Sequence, residues 1–348
     1  MDKRISRKDE HIQLALGHPD IEVSDFDSID LIHQSLPECD VKDVKLNTRI
    51  SSINLNTPIY INAMTGGTKW AQEINEKLAI VARETDSAMA VGSMHAALKS
   101  NQLKETYSVV RNIYKGPLFS NVGADVPLEF AKRAVDFLQA DALQIHVNAP
   151  QELIMPEGNR IFSNWLSHIE SIVNEIDVPI IVKEVGFGMS RETMLKLKSV
   201  GVTTIDVSGS GGTNFIHIEN ERRTLKDFSY MKGWGQTTAI SLLESKGTGL
   251  EVLASGGIRN PLDALKCMVL GAQAVGISRP ILLKVENEGI EDAIKYINDF
   301  KEHLIILLTM SGKTCIQDLT SINYILKGDV WSWYQQRNEN MGWNTLKK

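Results

Sequence analysis

A closed (β/α)8 barrel is the fold class this sequence predicts, on three observations. First, three segments align without gaps: AVDFLQADALQIHVN (134–148), MLKLKSVGVTTIDVS (194–208) and LKCMVLGAQAVGIS (265–278). Each is a helical stretch, a turn residue (Asp141, Gly201 or Gly271) and a short β-branched run, the αβ half of a repeating unit. Second, five further apolar runs bring the strands to eight, with helical patterns between them, so strand and helix alternate and the sheet is parallel. Third, eight such units in about 250 residues match the size of this barrel. An open doubly wound sheet is the competing arrangement.

In chain order, SRKDEHIQLALG (6–17) reads as a helix entered through a capping box, Ser6 with Asp9 three residues on, and ended by Gly17. Strand-like patches follow in DVKLNTRISSINLNTP. The eight strands are expected in PIYINAM (58–64), SAMAVGSM (87–94), PLFSNVG (117–123), ALQIHVN (142–148), PIIVKEVG (179–186), TTIDVS (203–208), EVLASGGI (251–258) and AQAVGIS (272–278). TKWAQEINEKLAIVARETD and PLDALKCMVLG carry helical patterns between strands. The tail DVWSWYQQRNENMGWNTLKK is rich in Trp and suits packing on the barrel or on a neighbouring subunit. No linker demands a second domain, so 1–348 reads as one domain with 1–57 as an N-terminal extension.

Composition narrows the function classes. The 348 residues are 43% hydrophobic with a formal charge of −6, enough for a large core and without the cationic surplus of a nucleic-acid binder. Cys39, Cys267 and Cys315 lie far apart with no CxxC pair, which argues against a disulfide framework or structural zinc and fits a reducing cytoplasm. The start MDKRISRKDEH is charged where a signal peptide is apolar, and no apolar run approaches the roughly 18 residues that span a bilayer. Neither export nor a membrane is expected.

In the stretch HVNAPQE (146–152), an imidazole, two carboxamides and a carboxylate follow directly on an apolar strand. Strand alternation accounts for this: Leu143, Ile145 and Val147 face the helices, while Gln144, His146 and Asn148 point into the barrel. The repeats agree, with Asp206 and Ser208, and Gly276 and Ser278, inward. Polarity thus gathers at the C-terminal strand ends, where βα loops of such barrels carry the chemistry.

A phosphate site is expected after strands seven and eight. SGGIRNPLDALKCM leads Gly256 and Gly257 into a helix opening with Pro261 and Asp263, and GISRP adds Ser278 and Arg279. The loop SGSGGTN brings Ser208 and Thr213 to the same rim, and Lys183 of PIIVKEVG shares inward parity with Ile181. A buried lysine needs a partner: a Schiff base, a carboxylate such as Asp206, or an electron-rich cofactor. A phosphate cradle with a central lysine suggests FMN, and NAMTGG, GSM and SNVGA opposite supply small residues and carboxamides for a flat ring, Thr65 and Asn121 among them. A second anion site is expected where Arg7 and Lys8 occupy the first turn of the N-terminal helix, against its dipole. Glu152 can complement it by holding Mg²⁺, which commonly bridges a carboxylate to substrate phosphates, so a diphosphate is the expected handle.

RKDEHI, AMTGG, HVNAPQE, KEVGFG, SGSGGT and SGGIR, in this order across most of the chain, closely resemble the type 2 isopentenyl-diphosphate isomerases, FMN-dependent (β/α)8 TIM barrels. The resemblance implies interconversion of isopentenyl diphosphate and dimethylallyl diphosphate, with FMN, Mg²⁺ and a reductant such as NADPH, in a homotetramer or homo-octamer. It implies FMN contacts from Ala63, Met64, Thr65, Ser93, Asn121, Lys183, Ser208 and Thr213, with Gly257, Ile258, Arg259, Ser278 and Arg279 around its phosphate. Arg7, Lys8, His146, Asn148 and Gln151 would then be neighbours of the substrate's diphosphate and hydrocarbon, and Glu152 the Mg²⁺ ligand. Residues 1–57 would cover the substrate, and Glu219 in FIHIENERR matches an acidic position of the family in a less regular context.

Moving a double bond needs a proton delivered to one carbon and removed from another, without net oxidation. An alkene is a poor base, so the acid must be strong, close and shielded from water. Reduced FMN is the expected acid and base, with Lys183 stabilising the ring and the oxidised enzyme inactive. Two other classes compete: a flavin oxidoreductase of the 2-hydroxy-acid oxidase type, for which RKDEH has no task, and a non-catalytic flavin or phosphate binder. An inosinate-dehydrogenase-like enzyme would need a cysteine that SGSGGTNF lacks.

Overall fold

The computed structural model describes residues 3–17 and 23–341, so the last seven residues of the Trp-rich tail lie outside the described residues. Eight parallel strands close into a barrel: β1 (Ile59–Ile61), β2 (Ala88–Ala90), β3 (Leu118–Gly123), β4 (Ala142–His146), β5 (Ile180–Lys183), β6 (Thr204–Asp206), β7 (Glu251–Ser255) and β8 (Ala272–Ile277). Each strand pairs with its sequence neighbours, and β8 returns to β1 through Val275↔Ile59, Gly276↔Tyr60 and Ile277↔Ile61. The open sheet is therefore excluded.

Alternation sorts the side chains as β geometry requires. Leu143, Ile145, Ile205, Val207, Val275 and Ile277 pack outward with helix residues such as Ile74, Leu78 and Leu197. Tyr60, Phe119, Ala142, Ile181, Leu253 and Ala274 fill the interior, and Ile50 and Leu55 of the antiparallel pair Thr48–Ile50 and Ile53–Leu55 join them. That pair closes the N-terminal end of the barrel, since the Ser51 amide donates to Glu251 and Thr48 to the Gln273 carbonyl, both at strand starts. The large cavity opens at the opposite mouth. Gly201 and Gly271, the turn residues of two repeats, have φ of +88° and +115°, which a side chain would strain. In the third repeat Asp141 instead accepts the Leu118 amide, and the left-handed residue is Gln139.

Gly276 is required for a different reason. A Cβ there would lie 2.6 Å from Tyr60 Cζ and 2.7 Å from Asn62 Nδ2, and Tyr60 is held by its hydroxyl on Asp206 at 2.7 Å. Gly276→Ala is expected to destabilise the fold by about 1–3 kcal/mol through overpacking, measured by denaturant unfolding.

The N-terminal helix differs from the sequence expectation. Helix α1 (Lys3–Leu16) is already helical at Lys3, so Ser6 lies within it and is no N-cap, and Arg7 and Lys8 sit in its second turn. Asp9 accepts from the Thr68 hydroxyl at 2.6 Å, and Thr68 caps α2 (Lys69–Glu84) by accepting the Ala71 amide. Docking on the barrel, with Ile12 buried in its core, places this helix more than a local cap does. The Gly17 amide donates to Gln13 just past its end.

Candidate functional site

A cavity of about 560 Å³ opens at the C-terminal strand ends, within the range of cofactor sites. Its wall collects residues from every part of the barrel and from α1. Ala63, Met64 and Thr65 follow β1, Ser93 follows β2, Asn121 lies on β3, and His146, Asn148, Gln151 and Glu152 come from β4 and the start of α3 (Ala149–Ile154). Lys183 ends β5, and Ser208 and Thr213 follow β6. Gly257 and Ile258 follow β7, and Ser278 and Arg279 follow β8.

Two expected residues lie off this wall. The Arg259 guanidinium turns outward, bonding Asp27 at 2.6 and 3.0 Å and Asp263 at 2.8 and 3.1 Å. Two carboxylates compete for it there, so its side chain does not reach the phosphate cradle. Glu219, on α4 (Phe215–Glu221), lies fully buried behind the wall, touching Gln151 Nε2 at 3.1 Å and Arg222 at 2.5 Å. His11 Nε2 of α1 stands 2.8 Å from it. Arg222 also bonds Glu10 of α1 and Glu157, so Glu219 belongs to the clasp that holds α1 over the mouth.

Burial alone raises the Glu219 carboxyl, but His11, Gln151 and Arg222 outweigh it and bring it down to about 2. A carboxylate depressed in the fold adds stability above its ordinary titration point, lost as pH falls towards about 2. Glu219→Gln is expected to cost about 3 kcal/mol, at the low end for a broken buried pair because Arg222 keeps two carboxylates. In denaturant titrations the gap between variant and parent should shrink between about pH 4.5 and 2.

The cradle is built from backbone. Gly256 and Gly257 have φ of +92° and +73°, and a Cβ on Gly257 would sit 2.8 Å from the Gly211 carbonyl. A Cβ on Gly212 would sit 3.0 Å from the Gly257 amide. Among the described residues, the amides of Gly211, Gly212, Gly257 and Ile258 have no protein acceptor. The following helix, α5 (Pro261–Val269), differs from expectation: Asn260 caps the Asp263 amide at 3.0 Å, and the Asp263 carboxylate takes the Arg259 amide. Free donors therefore lie in the glycine turns ahead of it. Helix α6 (Arg279–Asn287) starts at the rim, and the Arg279 Nε donates to the Ala15 carbonyl of α1.

Lys183 donates to the Glu184 carbonyl at 2.6 Å and Ser208 Oγ at 3.0 Å, and stands 3.9 Å from Asp206. Burial lowers its pKa, against the pull of Asp206 and Glu184. Asp206 is mostly occupied by Tyr60, Asn62, Ser255 and the Ser208 amide, which leaves the ammonium available to the cavity. Burial lifts the neighbouring Glu184 carboxyl to about 8, although three backbone amides and Lys183 oppose it.

Arg7 and Lys8 enter from α1. Lys8 donates to the Ser93 carbonyl and the Tyr107 hydroxyl, each at 2.9 Å, while Arg7 Nη1 donates to Met155 Sδ at 3.1 Å and, among the described residues, its buried Nε has no partner. Burial and the adjacent Arg7 lower Lys8 to about 7. Partly buried cations with no carboxylate hydrogen-bonded to them among the described residues are a fit for an anion. Glu152 accepts from Asn148 Nδ2 at 3.1 Å and from the Asn159 amide at 2.6 Å. Among the described residues no group of three or more His, Cys, Asp or Glu could hold a metal ion. A lone carboxylate suits Mg²⁺ that keeps waters and phosphate ligands, and no all-protein cage.

Sequence reasoning missed the partners inside the barrel: Tyr60, Asn62, Gln144 and Ser255 join Asp206, Asn121 and His146 in one polar chain. Alternation points Gln144 inward and says nothing of what it meets. His11 and Tyr107 were also missed, because their partners are far away in sequence.

Residues 125–325 match the profile of the FMN-dependent dehydrogenases. That match covers more than half the chain and sets its class, an FMN-dependent barrel. Mandelate oxidase structures share the fold: one carrying a monooxide FMN adduct superposes with a TM-score of 0.63 at 18% identity, over 91% of this chain and 92% of that one. Another, with (S)-2-phenylpropionate, gives 0.63 at 18% over 91% and 90%. Isopentenyl-diphosphate delta-isomerases of Staphylococcus saprophyticus and Staphylococcus epidermidis are 52% and 53% identical over 338 residues, 96% of this chain and 97% of each. That of Staphylococcus aureus is 51% identical over 342 residues, 97% of this chain and 98% of its own. The chain belongs to the isopentenyl-diphosphate delta-isomerase family, in its FMN-dependent type. Among the described residues no helix is long and apolar enough to cross a membrane.

Proposed function

We propose that this protein interconverts isopentenyl diphosphate and dimethylallyl diphosphate in the cytoplasm with reduced FMN, Mg²⁺ and NADPH as the reductant. The observation that carries the reading is one cavity joining two unlike anion sites, a glycine cradle beside Lys183 and an Arg7–Lys8 pair on a helix clasped over the mouth. One receives the cofactor's phosphate, through the Gly257 and Ile258 amides with Ser278 and Arg279 nearby. The other receives the substrate's diphosphate, with Mg²⁺ at Glu152 and with His146, Asn148 and Gln151 alongside.

When bound and reduced, FMN supplies acid–base chemistry beside the alkene. Lys183 offers a positive charge to the electron-rich ring. Ala63, Met64, Thr65, Ser93, Asn121, Ser208 and Thr213 surround the ring, Ala63 leaving room for a flat group. Of the N-terminal extension, α1 is the part that covers the mouth, where Ile12 and Ala15 help exclude water, whereas the strand pair in 48–55 closes the opposite end of the barrel, so the expectation that all of 1–57 covers the substrate narrows to α1. Burial, and the nearby Lys183, Lys8 and His95 against the pull of Asp125, lower His146 to about 4, so it is neutral at pH 7. Glu219 positions Gln151 and α1 from behind the wall. The assembly is proposed to be a homotetramer or homo-octamer.

The test is a visible spectrum of the purified protein followed by an anaerobic assay with isopentenyl diphosphate. A flavin spectrum and turnover only after dithionite or NADPH reduction are expected, with loss of turnover on chelating Mg²⁺. Turnover by the oxidised protein, or oxidation of a 2-hydroxy acid in its place, overturns the reading.

A further inference from the structure

The polar chain inside the barrel has a direction. Asp206 is fully buried and takes four donors: Tyr60 Oη at 2.7 Å, Asn62 Nδ2 at 3.0 Å, Ser255 Oγ at 2.7 Å and the Ser208 amide at 3.1 Å. Asn62 is oriented from both sides, because its Nδ2 faces that carboxylate and its Oδ1 faces the Ala63 amide at 2.8 Å. A flipped carboxamide would set oxygen against oxygen and N–H against N–H. Asn62 Oδ1 also accepts from Gln144 Nε2 at 3.3 Å, so Gln144 shows its oxygen to Asn121 Nδ2 at 3.0 Å. Asn121 is then left with its oxygen towards His146 Nδ1, at 2.8 Å.

We infer that Asn62, Gln144 and Asn121 form a one-way relay from Asp206 that fixes His146 as its Nδ1–H tautomer and presents Nε2 to the cavity as a hydrogen-bond acceptor. The ring nitrogen facing a ligand is set by the bond the other nitrogen makes. Asn62 and Gln144 are 1% and 0% exposed and line no part of the cavity, so they are positioning residues that act through Asn121 and His146. Low dielectric around them makes a misdirected amide costly, which gives the relay its force. An acceptor at Nε2 meets an N–H or O–H of a bound ligand directly, and meets a diphosphate oxygen only by taking up a proton. The tautomer follows from geometry alone, whereas its catalytic consequence rests on the isomerase reading.

The experiment is nitrogen–proton correlation NMR of the holoenzyme labelled with ¹⁵N-histidine, with His146 assigned by the spectrum of His146→Asn. The two-bond coupling pattern separates the Nδ1–H tautomer, the Nε2–H tautomer and imidazolium. At pH 7 His146 is expected as the Nδ1–H form. Gln144→Leu, which cuts the relay while keeping the volume, is expected to show both tautomers and a roughly tenfold lower kcat, for a relay worth about one neutral hydrogen bond, at unchanged FMN content. An Nε2–H or imidazolium signal in the parent overturns the inference, as does an unchanged pattern in Gln144→Leu. If that variant does not fold, the parent spectrum alone decides. Mixed tautomers with a normal kcat overturn the catalytic role, and an Nδ1–H signal in a protein without isomerase turnover refutes the proposed function while leaving the relay intact.

Discussion

Replacing Lys183 by alanine is expected to slow isomerisation by about 10²- to 10³-fold, the usual cost of removing one preorganised charge or donor from a site. The fold should survive, because Asp206 keeps Tyr60, Asn62, Ser255 and the Ser208 amide when the ammonium at 3.9 Å is removed. Flavin titration and unfolding curves separate that outcome from a collapsed site. The reduction potential of the bound cofactor should also fall, since a positive charge beside an electron-rich ring favours its reduced form. Normal FMN binding together with a native rate would remove Lys183 from the mechanism. Lys183→Arg is not expected to restore the rate, because a planar guanidinium cannot keep both the Glu184 carbonyl and Ser208 Oγ in the same small space.

The Arg7–Lys8 pair should govern KM. Arg7→Ala and Lys8→Ala are each expected to raise KM for isopentenyl diphosphate by about 10- to 100-fold, the range for a charge-assisted hydrogen bond. The two neighbours share one ligand, so their effects should not simply multiply. Lys8 adds a pH dependence. Burial and Arg7 let its proton leave near pH 7 in the free enzyme, and a bound diphosphate restores counter-charge and raises that point. Binding therefore takes up a proton above about pH 7, and affinity should fall as pH rises, by at most about tenfold per unit. Lys8→Arg cannot lose its proton and should flatten the profile. Isothermal titration with inorganic pyrophosphate in two buffers of different ionisation heat measures the proton uptake, and none above pH 7 in the parent would refute the assignment.

The differences between sequence and structure share a cause. Eight strands, their inward and outward faces and the glycine turns after β6 and β7 were all legible, because a two-residue period and a glycine doublet are local signals. The start of α1 was not, since Ser6 and Asp9 have capping-box spacing while Asp9 bonds Thr68, 59 positions away. Arg259 followed a phosphate motif by position, yet Asp27, 232 residues distant, draws its guanidinium outward. The helix opening at Pro261 was expected to offer its free amides to an anion, yet Asn260 caps α5, which moves the free amides back to Gly257 and Ile258.

Taken alone, the sequence determined the barrel, the polar rim and the family, because periodicity, turn chemistry and ordered motifs are written in neighbouring residues. Tertiary structure decided which polar groups are spent and which remain available: Asp206 on four donors, Glu219 on α1 and Arg222, Arg259 on two aspartates, with Lys183, Arg7 and Lys8 turned to the cavity. A buried hydrogen bond or ion pair depends on distance and direction between strands far apart in the chain, and no local pattern encodes that.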